Sequence, residues 1–219
     1  MKRSSTEFLL QAGPGSLAVL VLAAVVGRPF GNLPEPDQVV AHLEGSRMRV
    51  LIGTWTESIG GALLVAFSVG LASRLRQADG DRSPLASAAL AGGVTTGTLL
   101  LARGALVAAA AERAGTGGAS PETATLAIDA GNLLIGKMAP VGLALVTGAT
   151  AVAGRSLTPR WFVRVTAVLT VGLLSPLNFL FVVPGLFWVA GLGWWLGQRR
   201  RQFEDGQPGL AGAAPAPIE

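Results

Sequence analysis

The chain has 219 residues, half of them hydrophobic and only 14% charged, against about 25% charged in ordinary soluble domains, and its mean hydropathy is +0.53. This composition argues against a soluble globule, and the absence of Cys excludes disulfides, thiolate metal sites and Cys nucleophiles. A single His, His42, leaves no cluster for a metal or haem, so neither metal nor cofactor is expected, and the net charge of +4 does not indicate nucleic acid because the Arg residues are spread over short connections.

A membrane-spanning helix needs about 20 predominantly apolar residues, and six segments qualify: 8–27, 50–72, 86–111, 124–152, 160–176 and 178–197. The first follows Lys2 and Arg3 like a signal peptide, but Gly27-Arg28-Pro29-Phe30 is a poor cleavage site, so a retained helix is expected. Connection 28–49 carries Pro29, Pro34 and Pro36 and then a short helix-compatible run, Gln38 to Leu43. Gly93/Gly97 in the third span and Gly193/Gly197 in the sixth are GxxxG pairs, which let helices approach closely in lipid and would serve homo-oligomerisation. Pro140 in the fourth span and Pro184 in the sixth interrupt the helical hydrogen-bond ladder. Spans five and six meet at the turn-like Ser175-Pro176-Leu177-Asn178. Residues 202–219 read as a disordered cytoplasmic tail behind a transmembrane domain of residues 1–201.

The basic residues orient this domain. With both termini inside, the cytoplasmic segments hold eleven: Lys2, Arg3, Arg74, Arg76, Arg82, Arg155, Arg160, Arg164 and Arg199 to Arg201. Four lie outside (Arg28, Arg47, Arg49, Arg113), and the positive-inside rule selects this arrangement. Trp161, Trp194 and Trp195 fall at the same cytoplasmic interface, where amphipathic rings settle. The expected fold is therefore all-α, a polytopic transmembrane helical bundle of six spans, N-in and C-in, in the cell membrane.

Glu57, Arg103, Asp129 and Lys137 are charged residues within these apolar spans. Each costs roughly 2.5–3.5 kcal/mol at a helix centre unless it pairs, faces the bundle interior or lines a wet cavity. At about 1.5 Å per residue, Glu57, Arg103 and Asp129 come from three helices to nearly the same depth in the outer third of the membrane. Asn132 joins that layer, and Lys137 lies near the midplane. Burial disfavours the charged form of a carboxyl and a neighbouring guanidinium favours it, so two carboxyls around one Arg would hold different protonation states, as acid–base work requires. Glu57 and Asp129 are the candidate catalytic pair. Arg103, Asn132, Lys137, Trp55 and Trp188 are the candidate substrate-binding residues. A buried Glu–Arg–Asp network that fixes helix register is the structural alternative. Gly13-Pro14-Gly15 lacks the Lys-Ser/Thr of a phosphate loop, and the two carboxylates of Asp79-Gly80-Asp81 do not make a calcium site.

Arg47-Met48-Arg49 leading through Thr54-Trp55-Thr56 to Glu57, Leu157-Thr158-Pro159-Arg160-Trp161 before the fifth span, and Val183-Pro184-Gly185 running on to Trp194-Trp195 and Arg199–Arg201 occur in that order. Together they resemble a widespread bacterial family of six-span integral membrane proteins of unknown function. The resemblance implies the fold and no activity. By analogy, small membrane terpene cyclases also use carboxyls in a helical bundle to protonate a lipophilic substrate, although aromatics are 6% of this chain and Tyr is absent. The functional expectation is an acid–base cyclase or isomerase of terpenoid type, acting on a lipophilic small molecule or lipid. A small transporter or accessory membrane subunit, and a structural or regulatory membrane protein, are the alternatives.

Overall fold

The computed structural model describes residues 5–27, 36–80 and 83–205. Lys2, Arg3, Arg28, Pro29, Pro34, Asp81, Arg82 and residues 206–219 lie outside them. The described residues are all-α, with no strand: α1 (Ser5–Gly27), α2 (Pro36–Asp79), α3 (Pro84–Gly115), α4 (Pro121–Leu133), α5 (Ala139–Leu157), α6 (Arg160–Leu174) and α7 (Phe179–Asp205). Ser83 and Ser120 start α3 and α4 with a Pro at the first helical position, each hydroxyl accepting from the backbone three residues on. Pro belongs there because the N–H it lacks would have no intrahelical partner.

Among the described residues, five helical segments are long and apolar enough to cross a membrane: Phe8–Val26, Pro36–Ala78, Pro84–Gly115, Pro121–Ala153 and Phe179–Gln198. The fifth expected span is shorter. α6 has 15 residues, about 22 Å of helix against a hydrocarbon core of about 30 Å, and the Ser175–Asn178 turn closes it with an Asn178 N–H to Ser175 carbonyl bond. α7 continues to Asp205, beyond the start expected for the tail. Large apolar side chains stay exposed on the bundle surface, among them Phe8, Leu101, Val168, Val171, Phe179 and Phe187, the exterior that lipid solvates.

The helices close a ring in which α1 packs on α2, α2 on α3, α3 on α4 and α5, α5 on α6, α6 on α7, and α7 back on α1. Its core gathers Leu10, Leu64, Phe67, Leu71, Val146, Leu173, Val189 and Leu192. A second, smaller core corrects the sequence expectation for 28–49. From Pro36 onward that stretch is not a loop but the first third of α2. Val39, Leu43 and Val50 pack there against Val107, Ala110, Ala111 and Ala114 of α3 and Ala124 and Ile128 of α4. An apolar face at helical spacing over this run is what makes it helix. An Arg47–Glu112 ion pair joins α2 to α3 on the same stretch.

Glycine seams hold the ring together. A Cβ on Gly92 would lie 2.4 Å from the Gly142 carbonyl oxygen, and one on Gly142 2.7 Å from that of Gly92, so α3 and α5 touch backbone to backbone. Gly93 and Gly97 face Ser68 and Gly61 of α2, and Gly193 faces the Leu10 carbonyl of α1. These three glycines are therefore covered within the chain. Only Gly197 of the two pairs meets nothing within 4 Å.

Between α4 and α5 the helix does not break at Pro140. It widens into a π turn, Leu134–Met138, in which the Ala139 N–H reaches the Leu134 carbonyl five residues back. Pro140 lacks an N–H and its ring clashes with the carbonyl four residues earlier, and the wider turn just before it absorbs that conflict without exposing the ladder.

Candidate functional site

α2 and α3 run antiparallel at the close spacing that their glycines permit, with Gly104 against Thr54 and Ser58. This register places Arg103 opposite Glu57, and Arg103 Nη1 donates to Glu57 Oε2 in an ion pair. The Glu57 side chain is 8% exposed and that of Arg103 20%. Glu57 Oε1 and Arg103 Nε are buried with no hydrogen-bond partner, so the pair retains one acceptor and one donor. Gly131 of α4 sits behind the stem of Arg103, where a Cβ would come within 3.0 Å of Arg103 Cγ.

The pair forms part of the wall of a cavity of about 250 Å³ between α1, α2, α3, the π turn, α5 and α7. Its lining is apolar, from Leu20 and Ala23 of α1 across Leu100 of α3 to Val182 and Leu186 of α7. Two hydroxyls also border it, and both are committed to backbone carbonyls: Thr54 Oγ1 to Leu51, and Thr96 Oγ1 to Gly92 and Ala139. With both hydroxyl protons so used, Arg103 is the side chain of this wall with an N–H to spare and Glu57 the one with an unpartnered carboxylate oxygen. Leu20 packs against Gly60 and Leu9 against Gly70, which puts Gly27, the end of α1, about level with Gly53. Glu57 then lies about one helical turn, roughly 6 Å, inside the end of α1.

The remaining sequence candidates divide by direction. Asp129, Asn132 and Lys137 are exposed on the outer face of α4 and the π turn, and none of them takes part in the Glu57–Arg103 ion pair. The expected three-charge layer is therefore corrected to a two-charge pair. Asp129 shares its depth but points away, because Gly131 and Ile128, not Asp129, turn toward α3. Trp55 is 72% exposed on the opposite side of α2 from Glu57. Trp188 is buried and outside the cavity lining, its Nε1 donating to Thr166 Oγ1 at 2.8 Å while its ring stacks on Phe162. Thr96, Gly131 and the α1 and α7 walls were not singled out from sequence. A Gly beside Asn132 and two residues from Asp129 is the one sequence signal for Gly131.

Among the described residues no group of three His, Asp or Glu side chains could hold a metal. Compared with protein families, curated proteins and solved structures, the chain matches none.

Proposed function

We propose that this is an integral membrane protein that takes a lipophilic small molecule or lipid into the cavity beside Glu57 and Arg103, and that Glu57 moves a proton on it. One observation carries the reading: an otherwise apolar cavity whose wall holds a single ion pair, with a buried carboxylate oxygen and a buried guanidinium N–H both lacking partners. An apolar body with one polar group that both donates and accepts, such as a hydroxyl, complements that wall. With Asp129 on another face, a two-carboxyl cyclase scheme has no second acid in the cavity. An isomerisation, in which ionised Glu57 takes a proton from one position and returns it at another, needs only one carboxyl. The basic-residue asymmetry supports an orientation with both termini cytoplasmic, which would put the cavity in the outer half of the membrane.

The test fills the cavity. Leu100 lines it, whereas the neighbouring Leu101 faces outward. Leu100→Trp should strip the lipophile that co-purifies with the protein in mild detergent, as read by mass spectrometry of the extract, and Leu101→Trp should retain it. Glu57→Gln should keep binding and lose turnover. Equal lipid content in wild type and both Trp variants would sink the proposal.

A further inference from the structure

The face of α4 and the π turn bears three polar residues, Asp129, Asn132 and Lys137, all exposed. None makes a hydrogen bond or ion pair among the described residues. Two of them carry charge on a segment apolar enough to cross a membrane, Pro121–Ala153, where charges normally face a bundle interior or a partner. In a regular helix the eight residues from Asp129 to Lys137 would rotate the two apart by about 80°. Lys137 lies within the π turn Leu134–Met138, whose wider winding reduces that angle, and both residues are exposed on the outward side of the segment. Gly136 lies between them with open space where a Cβ would be, and small residues flanked by polar ones are what helix–helix contacts in lipid use. Leu133 and Met138, 59% and 55% exposed, supply apolar surface beside them.

We infer that this face docks a transmembrane helix of another protein, one with a cationic side chain level with Asp129 and an acidic one level with Lys137, about 12 Å deeper at 1.5 Å per residue. Charge decides against a second copy as occupant. A two-fold axis along the membrane normal brings equal depths together, so Asp129 would meet Asp129 and Lys137 would meet Lys137. The opposite pattern on a different helix satisfies both charges, and Asn132 bonds across the same contact. The protein then has two separate faces of interaction, a cavity for a lipophile and an outer seam for a partner subunit.

The test uses the full chain in proteoliposomes, labelled at a single Cys introduced at Thr123 by Thr123→Cys, since the natural chain has none. The probe is a single Leu-Ala transmembrane helix held in one orientation by a fused soluble domain, in three versions: Lys at the Asp129 level with Asp at the Lys137 level, the same two charges exchanged, and no charge. Energy transfer should show the first binding at least tenfold more tightly than the other two. The preference should vanish in the Asp129→Asn, Lys137→Met double variant, whose changes are on the surface and leave the cavity lining intact. Equal binding of all three helices overturns the inference and leaves Lys137 snorkelling toward the interface. Energy transfer between two labelled copies of the chain that depends on Asp129 and Lys137 also overturns it, in favour of a second copy.

Discussion

Glu57 and Arg103 share a hydrogen bond across two helices inside an apolar wall, where the energetics of removing one partner differ from those of removing both. Breaking a buried pair leaves an uncompensated charge and typically costs about 3–5 kcal/mol, whereas replacing both partners is often near neutral. Arg103→Met should therefore lower stability in bicelles by about that much, and adding Glu57→Gln should recover most of the loss. Additive effects in the double-mutant cycle would mean that the two residues are not coupled. The partnership was legible in the sequence because depth follows from counting residues from a span end. Asp129 passes the same depth test and fails in direction. Depth is a property of one helix, but which way a side chain points depends on which neighbours that helix acquires.

At the scale of elements, close helix contact depends on particular glycines rather than on the GxxxG spacing itself. Gly92 and Gly142 meet backbone to backbone, whereas Gly191 meets nothing within 4 Å. Gly92→Ala should cost about 1–3 kcal/mol by overpacking. Gly191→Ala should be neutral or stabilise by up to about 1 kcal/mol through helix propensity. Thermal unfolding in detergent distinguishes them, and equal melting temperatures for the two variants would remove the α3–α5 seam from the account. The π turn belongs to the same scale. Pro140 announces an irregularity in the sequence, but not whether it becomes a kink or a wide turn, and that choice sets the face on which Lys137 emerges.

For the whole molecule, the ring of helices and the protruding start of α2 make a testable topology. α2 has 44 residues, about 66 Å of helix, more than twice a hydrocarbon core, so one end must stand clear of the lipid. The charged stretch around Arg47, Arg49 and Glu112 marks that end, and the basic-residue bias predicts that it lies on the outer side. A Cys introduced at Ser120 should be labelled by a membrane-impermeant reagent from outside intact cells, and one at Gln77 only after permeabilisation. The reverse pattern would invert the orientation.

The sequence by itself determined the all-α architecture and that most helices are long and apolar enough to cross a membrane, because hydropathy and length along one chain settle those quantities. It also marked Glu57 and Arg103 as a pair worth testing. Only the tertiary structure decided that residues 36–49 extend α2, since their apolar face has meaning only once α3 and α4 are beside it. The cavity likewise needs walls from α1, α3, α5 and α7, which no local pattern brings together. The division of the four charges is the clearest case: two meet because α2 and α3 close on their glycines, and two stay outside because Gly131, not Asp129, packs against Arg103.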